Sequence, residues 1–217
     1  VDAGKVTILA NAVDAEKFRF SPEVRKRMRN ELGVDGKAVV GCVARFRPEK
    51  NHVFLIDVLR EILKEEPNAV LLLAGEGPAE DEVRQKAISM GLKDKVLFLG
   101  MRTDIPNVLQ AMDAFTLASL WEGLPVTGIE AQAAGLYCVV SDGVTEEMNA
   151  IDMVQYIPLS ASKEVWAGAL LAAAKKERRD TYEKLKKSGY DIHTTAPWLQ
   201  QFYIEKYLEG VQQDIIV

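Results

Sequence analysis

Val39-Val40-Gly41-Cys42-Val43-Ala44, followed at once by Arg45-Phe46-Arg47-Pro48-Glu49-Lys50-Asn51, is the stretch on which the fold turns. Its first six residues form an unbroken apolar run. A strand with one wet face would alternate apolar and polar residues, whereas a continuous run marks a parallel strand buried on both faces. Near-continuous runs of the same kind recur at 6–9, 70–74, 96–99, 114–118, 137–140 and 154–157.

Amphipathic segments lie between the runs. Val24, Met28 and Leu32 are spaced i, i+4, i+8, and Leu55, Leu59 and Ile62 form a second stripe. Val83, Ala87 and Met90 form a third. Ser21-Pro22-Glu23 supplies an N-cap, a first-turn proline and an early acid, and Gly33 and Gly91 close two of the helices. Strand–helix–strand repetition predicts an α/β protein with a doubly wound parallel sheet and right-handed crossovers.

The character changes after about Ser160. Val165, Trp166, Ala169, Leu170 and Ala173 predict a helix, the charged stretch 175–187 a second, and Thr195-Ala196-Pro197 opens a third bearing Leu199, Phe202, Tyr203 and Tyr207. Lys175-Lys176 and Lys186-Lys187 read as solvated faces interleaved with Glu177, Asp180 and Glu183. Residues 1–217 are expected to form one domain, with 160–217 as its helical tail.

The chain has 217 residues, 27 Lys and Arg against 32 Asp and Glu, and a net charge of −5. That balance argues against a duplex nucleic-acid partner but allows a local basic pocket for a small anion. No stretch approaches 18 apolar residues, so no membrane span is expected. Val1-Asp2-Ala3-Gly4 has no basic region before an apolar run, so no signal peptide is expected, and without an initiator Met the chain reads as cut from a longer one. Cys42 and Cys138 sit in apolar runs. They read as buried thiols in a reducing, cytoplasmic setting, unpaired and too few for a metal site.

In an open parallel sheet, ligands bind beyond the carboxyl ends of the strands. Arg45 and Lys50 lie there, beside the start of the helix near His52. Two cations and a helix N-terminus suit a diphosphate; a solvated basic loop paired with Glu49 is the other reading. In 121–135, Gly123 and Pro125 mark a turn and helix start, so Glu122 falls on a loop and Glu130 inside the helix. The two acids flank a helix N-terminus, an arrangement suited to gripping hydroxyls at two ends of a phosphorylated ligand. Glu130 is either a ligand group or an exposed helical acid. Gly75-Glu76-Gly77-Pro78 resembles half a dinucleotide fingerprint but lacks its last glycine, and a tight turn is expected. His52 and His193 read as loop or surface residues, and no motif makes Ser119 or Ser141 a nucleophile.

Together these pieces resemble a known family. Asn11-Ala12-Val13-Asp14 with Phe18, Arg45 to Asn51, Gly75-Glu76-Gly77-Pro78, Glu122 and Glu130 eight positions apart, Ala133-Ala134-Gly135 and Val139-Val140-Ser141-Asp142 fall in the order of the donor-binding, C-terminal half of the retaining group 1 glycosyltransferases. That family has two facing Rossmann-like domains, the GT-B fold. Residues 122–142 look especially like enzymes of capsular or exopolysaccharide biosynthesis. Two departures stand out: Ala12 replaces a usual Gly, and Leu124-Pro125 replace a frequent Phe-Gly.

The resemblance implies that Arg45 and Lys50 bind the donor diphosphate and stabilise the leaving group. It implies that the backbone at Val126 and Thr127 touches phosphate and sugar, that Glu130 accepts from the ribose, and that Glu122 contacts the transferred sugar. Leu99, Gly100, Met101 and Arg102 would meet the base. The implied activity is metal-independent, retaining transfer of a hexose-like sugar from a nucleotide-diphosphate sugar to a glycan or lipid-linked acceptor, with no cofactor. The acceptor would be held by an N-terminal domain absent from this chain, and the full-length enzyme would be cytoplasmic, peripheral at the inner face of the membrane. A non-catalytic nucleotide-binding module and a sugar-nucleotide epimerase are the competing readings.

Overall fold

The structure, a computed structural model, describes residues 9–214, with side chains as far as Glu209. The strand read at 6–9 lies outside these residues apart from Leu9. The other six runs are all strands: β1 (Val39–Val43), β2 (Val70–Ala74), β3 (Val96–Phe98), β4 (Ala114–Leu117), β5 (Cys138–Ser141) and β6 (Val154–Ile157). They form one wholly parallel sheet in the order β3-β2-β1-β4-β5-β6. Every residue of β1, β2, β4 and β5 is buried, while the edge strands β3 and β6 are partly open. Continuous apolar runs at the centre and looser ones at the edges are what two-sided burial requires.

The helices are α1 (Ala15–Phe18), α2 (Pro22–Glu31), α3 (His52–Glu65), α4 (Glu80–Ser89), α5 (Ile105–Ala111), α6 (Val126–Ala133), α7 (Lys163–Ala174), α8 (Tyr182–Lys187) and α9 (Ile192–Asp214). The Ser21 hydroxyl accepts from Val24 N–H at 3.3 Å, so α2 starts where its cap predicts. One layer holds α3 against α4 and α7; the other holds α2 against α5 and α1 against α6 and α8. Phe54 of α3 meets Trp166 of α7 edge to face, ring centroids 5.1 Å apart.

The segment expected as a tail is part of the core as far as α8. Trp166 and Leu185 are fully buried. Between α7 and α8, Arg178 donates to the Gln110 carbonyl at 2.8 Å and the Met112 carbonyl at 3.1 Å, and the Thr181 hydroxyl donates to the Gln132 carbonyl at 2.6 Å. The second helix is shorter than the charged stretch that suggested it, because Arg178 and Thr181 are turned inward by these bonds. The third starts three residues before Thr195, with Pro197 inside it. Ile192 N–H donates to the Val13 carbonyl at 2.8 Å, and the chain turns helical directly afterwards, Thr194 and Thr195 both donating to the Asp191 carbonyl. Lys175, Lys176, Lys186 and Lys187 are exposed, as expected.

Candidate functional site

The strand order reverses between β1 and β4. Chain leaving these neighbours departs to opposite sides, opening a crevice at their carboxyl ends. Two adjoining cavities of about 610 and 420 Å³ fill it, sharing Val43, Ala44, Arg45, Arg47 and Thr127.

The larger cavity runs between Arg45 and the segment Gly75-Glu76-Gly77, with Met101 and Arg102 on its far wall. The glycines are there because two loops touch. Gly75 has φ +142°, and a Cβ on it would stand 2.1 Å from the Ala44 carbonyl oxygen; one on Gly77 would stand 2.3 Å from that of Phe46. Phe46 N–H donates to the Glu76 carbonyl at 3.0 Å, and Ala79 N–H returns to the Phe46 carbonyl at 3.0 Å. The expected tight turn is therefore a seam between the loops that follow β1 and β2. Gly75 N–H donates to the Gly100 carbonyl at 2.9 Å and Met101 N–H to Glu76 Oε1 at 3.2 Å, which fixes the turn after β3 to the same seam. The Arg102 guanidinium is held by both oxygens of Asp104, at 2.7 and 2.8 Å.

The smaller cavity is lined by Lys50, Glu122, Pro125 and Val126. Lys50 forms an ion pair with Glu122 Oε1, and the Ser119 hydroxyl donates to Glu122 Oε2 at 2.8 Å. The loop after β4 is held on both sides: Leu120 N–H donates to the Glu49 carbonyl and Glu122 N–H to the Gly143 carbonyl, each at 2.8 Å. The helix α6 begins beside them with Pro125 as its N-cap and no side chain bonded to its first amides. The N–H groups of Val126 and Thr127 therefore belong to a helix end that favours anions. Arg45 is exposed at the rim and, among the described residues, has no ion-pair partner. Glu49 lies 3.9 Å from Arg47, so the loop pairing with Glu49 involves Arg47 and not Lys50.

Arg45, Lys50, Glu122, Val126, Thr127, Met101 and Arg102 thus share the two cavities. Leu99, Gly100 and Glu130 do not line them. Leu99 N–H is spent on the Leu73 carbonyl at 2.9 Å and Gly100 contributes its carbonyl to Gly75. Glu130 is half-buried, so it is not the exposed helical acid of the alternative reading, and burial pushes its carboxyl above the ordinary range. Glu76 and Ser119 stand at strand ends, which the sequence marks as the ligand side, but neither was given a role there; Arg47 was not singled out, although it lies on the same loop as Arg45.

His52 departs from the expected loop or surface position. It is 2% exposed at the first turn of α3 and stacks on Phe46, ring centroids 4.4 Å apart. Asn51 takes a left-handed conformation (φ 53°) that tucks the helix start under the loop. Burial, with Lys50 nearby, lowers the imidazole pKa to about 4, so it is neutral at pH 7. His193 is exposed, 3.3 Å from Asp14. Cys42 and Cys138 are buried and unpaired, and burial pushes the Cys42 thiol up to about 12. Among the described residues no three His, Cys, Asp or Glu side chains cluster as metal ligands, and no helix is long and apolar enough to cross a membrane.

Comparison with known proteins bears on this site. The family model for glycosyl transferases group 1 matches residues 24–191. EpsF of Bacillus subtilis (strain 168), a glycosyltransferase by name, is 34% identical over 204 residues, covering 92% of this chain and 53% of its own. The Escherichia coli UDP-Gal:alpha-D-GlcNAc-diphosphoundecaprenol alpha-1,3-galactosyltransferase is 36% identical over 171 residues, covering 70% of this chain and 44% of its own. The chain thus spans about half the length of these curated relatives. The crystal structure of Anabaena Alr3699/HepE with UDP-glucose superposes with a TM-score of 0.76 at 22% identity, over 94% of this chain and 58% of that one. That likeness shows the fold, a Rossmann-like α/β domain matching part of a GT-B glycosyltransferase structure.

Proposed function

The chain belongs to the group 1 glycosyl transferases, and from that membership we propose that it is the donor-binding, C-terminal half of a two-domain glycosyltransferase. The observation that carries the proposal is the convergence of Arg45, the Lys50–Glu122 ion pair and the uncapped start of α6 on one crevice at the β1/β4 switch point. Two cations and a helix N-terminus suit a diphosphate, and an acid held beside them suits the hydroxyls of an attached sugar.

In this reading the donor is a nucleotide-diphosphate sugar. Its diphosphate lies against Arg45, Lys50 and the amides of Val126 and Thr127, with the sugar toward Glu122. The base occupies the larger cavity beside Met101 and Arg102, with Leu99 and Gly100 behind that wall, and Glu130, one turn inside α6 and outside both cavity walls, is the acid assigned to the ribose. Breaking the anomeric C–O bond leaves both electrons on the departing diphosphate oxygen. The fixed cations and amides stabilise that charge without a metal, and each such group is worth roughly 10²–10³ in rate. The acceptor enters on the face from which the diphosphate departs, so configuration is retained. The relatives support a hexose donor and a glycan or lipid-linked acceptor: one is named a UDP-Gal-dependent transferase to a diphosphoundecaprenol glycan, and the Anabaena neighbour was crystallised with UDP-glucose. Capsular or exopolysaccharide assembly at the inner face of the membrane is the setting this suggests.

Calorimetric titration of the chain with UDP, GDP, ADP and their hexose conjugates tests the proposal. Saturable binding of one nucleotide series, with Glu122→Gln weakening the sugar conjugate more than the free diphosphate, is expected. Equal effects of Glu122→Gln on both would favour a non-catalytic nucleotide-binding module, and no binding in any series would overturn the proposal.

A further inference from the structure

Ser119 is fully buried just past the carboxyl end of β4. A buried hydroxyl needs an acceptor, and the one it has is Glu122 Oε2, at 2.8 Å. The other carboxylate oxygen is taken by Lys50, so two donors on two different loops hold one acid. Ser119 is itself fixed from below. Ser141, buried at the end of β5, donates to the Ser119 carbonyl.

The two donors differ in what they can do once a ligand arrives. Lys50 lines the smaller cavity on a flexible stem, and a diphosphate there competes for its ammonium. Ser119 lines neither cavity, so no ligand can compete for its hydroxyl. When Lys50 is shared with phosphate oxygens, it no longer fixes the carboxylate alone, and a carboxylate held by one mobile donor would rotate. We propose that Ser119 is the positioning residue for Glu122: its hydroxyl holds the carboxylate plane while Lys50 serves the ligand, so that the remaining lone pairs face the hydroxyls of the sugar. This rests on the donor-site reading. Ser119 acts through Glu122 and touches no substrate.

The test is a comparison of affinities for UDP, GDP, UDP-glucose, UDP-galactose and GDP-mannose in the wild type, S119A, S119T, E122Q and the double variant S119A/E122Q. The informative quantity is the ratio of nucleotide-sugar to nucleoside-diphosphate affinity. S119A is expected to lower that ratio about tenfold, the loss of one hydrogen bond to a charged acceptor. Affinity for UDP or GDP alone should stay within about twofold. S119T, which keeps the hydroxyl, should restore the ratio, and the double variant should be no worse than E122Q because both lesions act through one carboxylate. S119C, close in size but a weak donor, carries the same expectation should S119A fail to fold. A parallel loss of both affinities marks a merely structural serine and overturns the role, as does a ratio unchanged in S119A or fully additive with E122Q. Wild-type protein that binds none of the five compounds would instead overturn the donor-site reading, and this role with it.

Discussion

At the scale of single residues, the two cations of the crevice have different surroundings and should fail differently. Arg45 is exposed and free of any ion pair among the described residues, so Arg45→Ala should remove the proposed ligand contact and little else. Lys50→Ala also strips Glu122 of its partner in a half-buried site. Each is expected to weaken nucleoside-diphosphate binding by roughly tenfold to a hundredfold, with Lys50→Ala also lowering the melting temperature; Glu122→Ala should weaken it less than either. Calorimetric titration with UDP and GDP measures this, and equal affinities across the three variants would sink the assignment. His52 carries a different expectation. Its folded pKa, about 4, lies below the ordinary 6.5, so the unfolded chain binds the proton more tightly. The stability this neutral histidine permits is complete above pH 6.5 and is lost as the pH falls toward 4, up to about 3 kcal/mol. His52→Leu should flatten that slope in urea titrations between pH 7 and 4, and an unaltered slope would place the acid sensitivity elsewhere.

At the scale of elements, the seam between the loops after β1 and β2 is the most exacting local feature. Gly75 combines a positive φ of +142° with a backbone oxygen 2.1 Å from where a Cβ would sit. Gly75→Ala must therefore part the two loops that form one wall of the larger cavity, and should cost roughly 2–4 kcal/mol. Chemical denaturation should show that loss, and a stability within 0.5 kcal/mol of wild type, roughly the scale of a surface substitution, would mean that the seam relaxes freely. The same seam marks how far the sequence could be read. The inner strands were readable because two-sided burial writes itself as consecutive apolar residues, and α2 because its cap and proline are local signals. Arg45, Lys50 and Glu122 were readable as chemistry at strand ends. Their mutual contacts were not, because Lys50 and Glu122 are 72 positions apart and meet only through the strand order. The burial of His52 was hidden for a local reason: the left-handed Asn51 tucks the start of α3 under the loop, where His52 stacks on Phe46, and a polar loop sequence does not announce that turn. The tail misled because a hydrophilic run such as 175–187 conceals two side chains, Arg178 and Thr181, that satisfy carbonyls of the core.

At the scale of the whole molecule, the proposed donor site is one-sided. The walls of both cavities come from strand ends, loops and helix starts at the carboxyl edge of a single sheet, and the chain spans 53% of EpsF and 44% of the galactosyltransferase it resembles. Arg45, Lys50, Glu122, Val126 and Thr127, the groups proposed to hold the diphosphate and the sugar, all line that crevice. A base to take a proton from an acceptor hydroxyl is another matter: Glu122 is engaged by Lys50 and Ser119, and His52 is buried away from both cavities. Binding and transfer should therefore separate. The 217-residue chain is expected to bind its nucleoside diphosphate while transferring sugar to a lipid-linked or glycan acceptor at least about a thousandfold more slowly than a two-domain enzyme, because in the proposed reading the acceptor is held by the other half and the advantage of a fixed encounter is lost. Release of labelled hexose onto an undecaprenyl-diphosphate-linked acceptor, followed alongside nucleotide binding in the same preparation, measures both. Transfer at a rate comparable to a full-length relative would show that the sheet edge carries its own acceptor site, and would locate the missing base among residues already at the rim, where Glu49 and Glu76 stand against the two cavities beside the engaged Glu122.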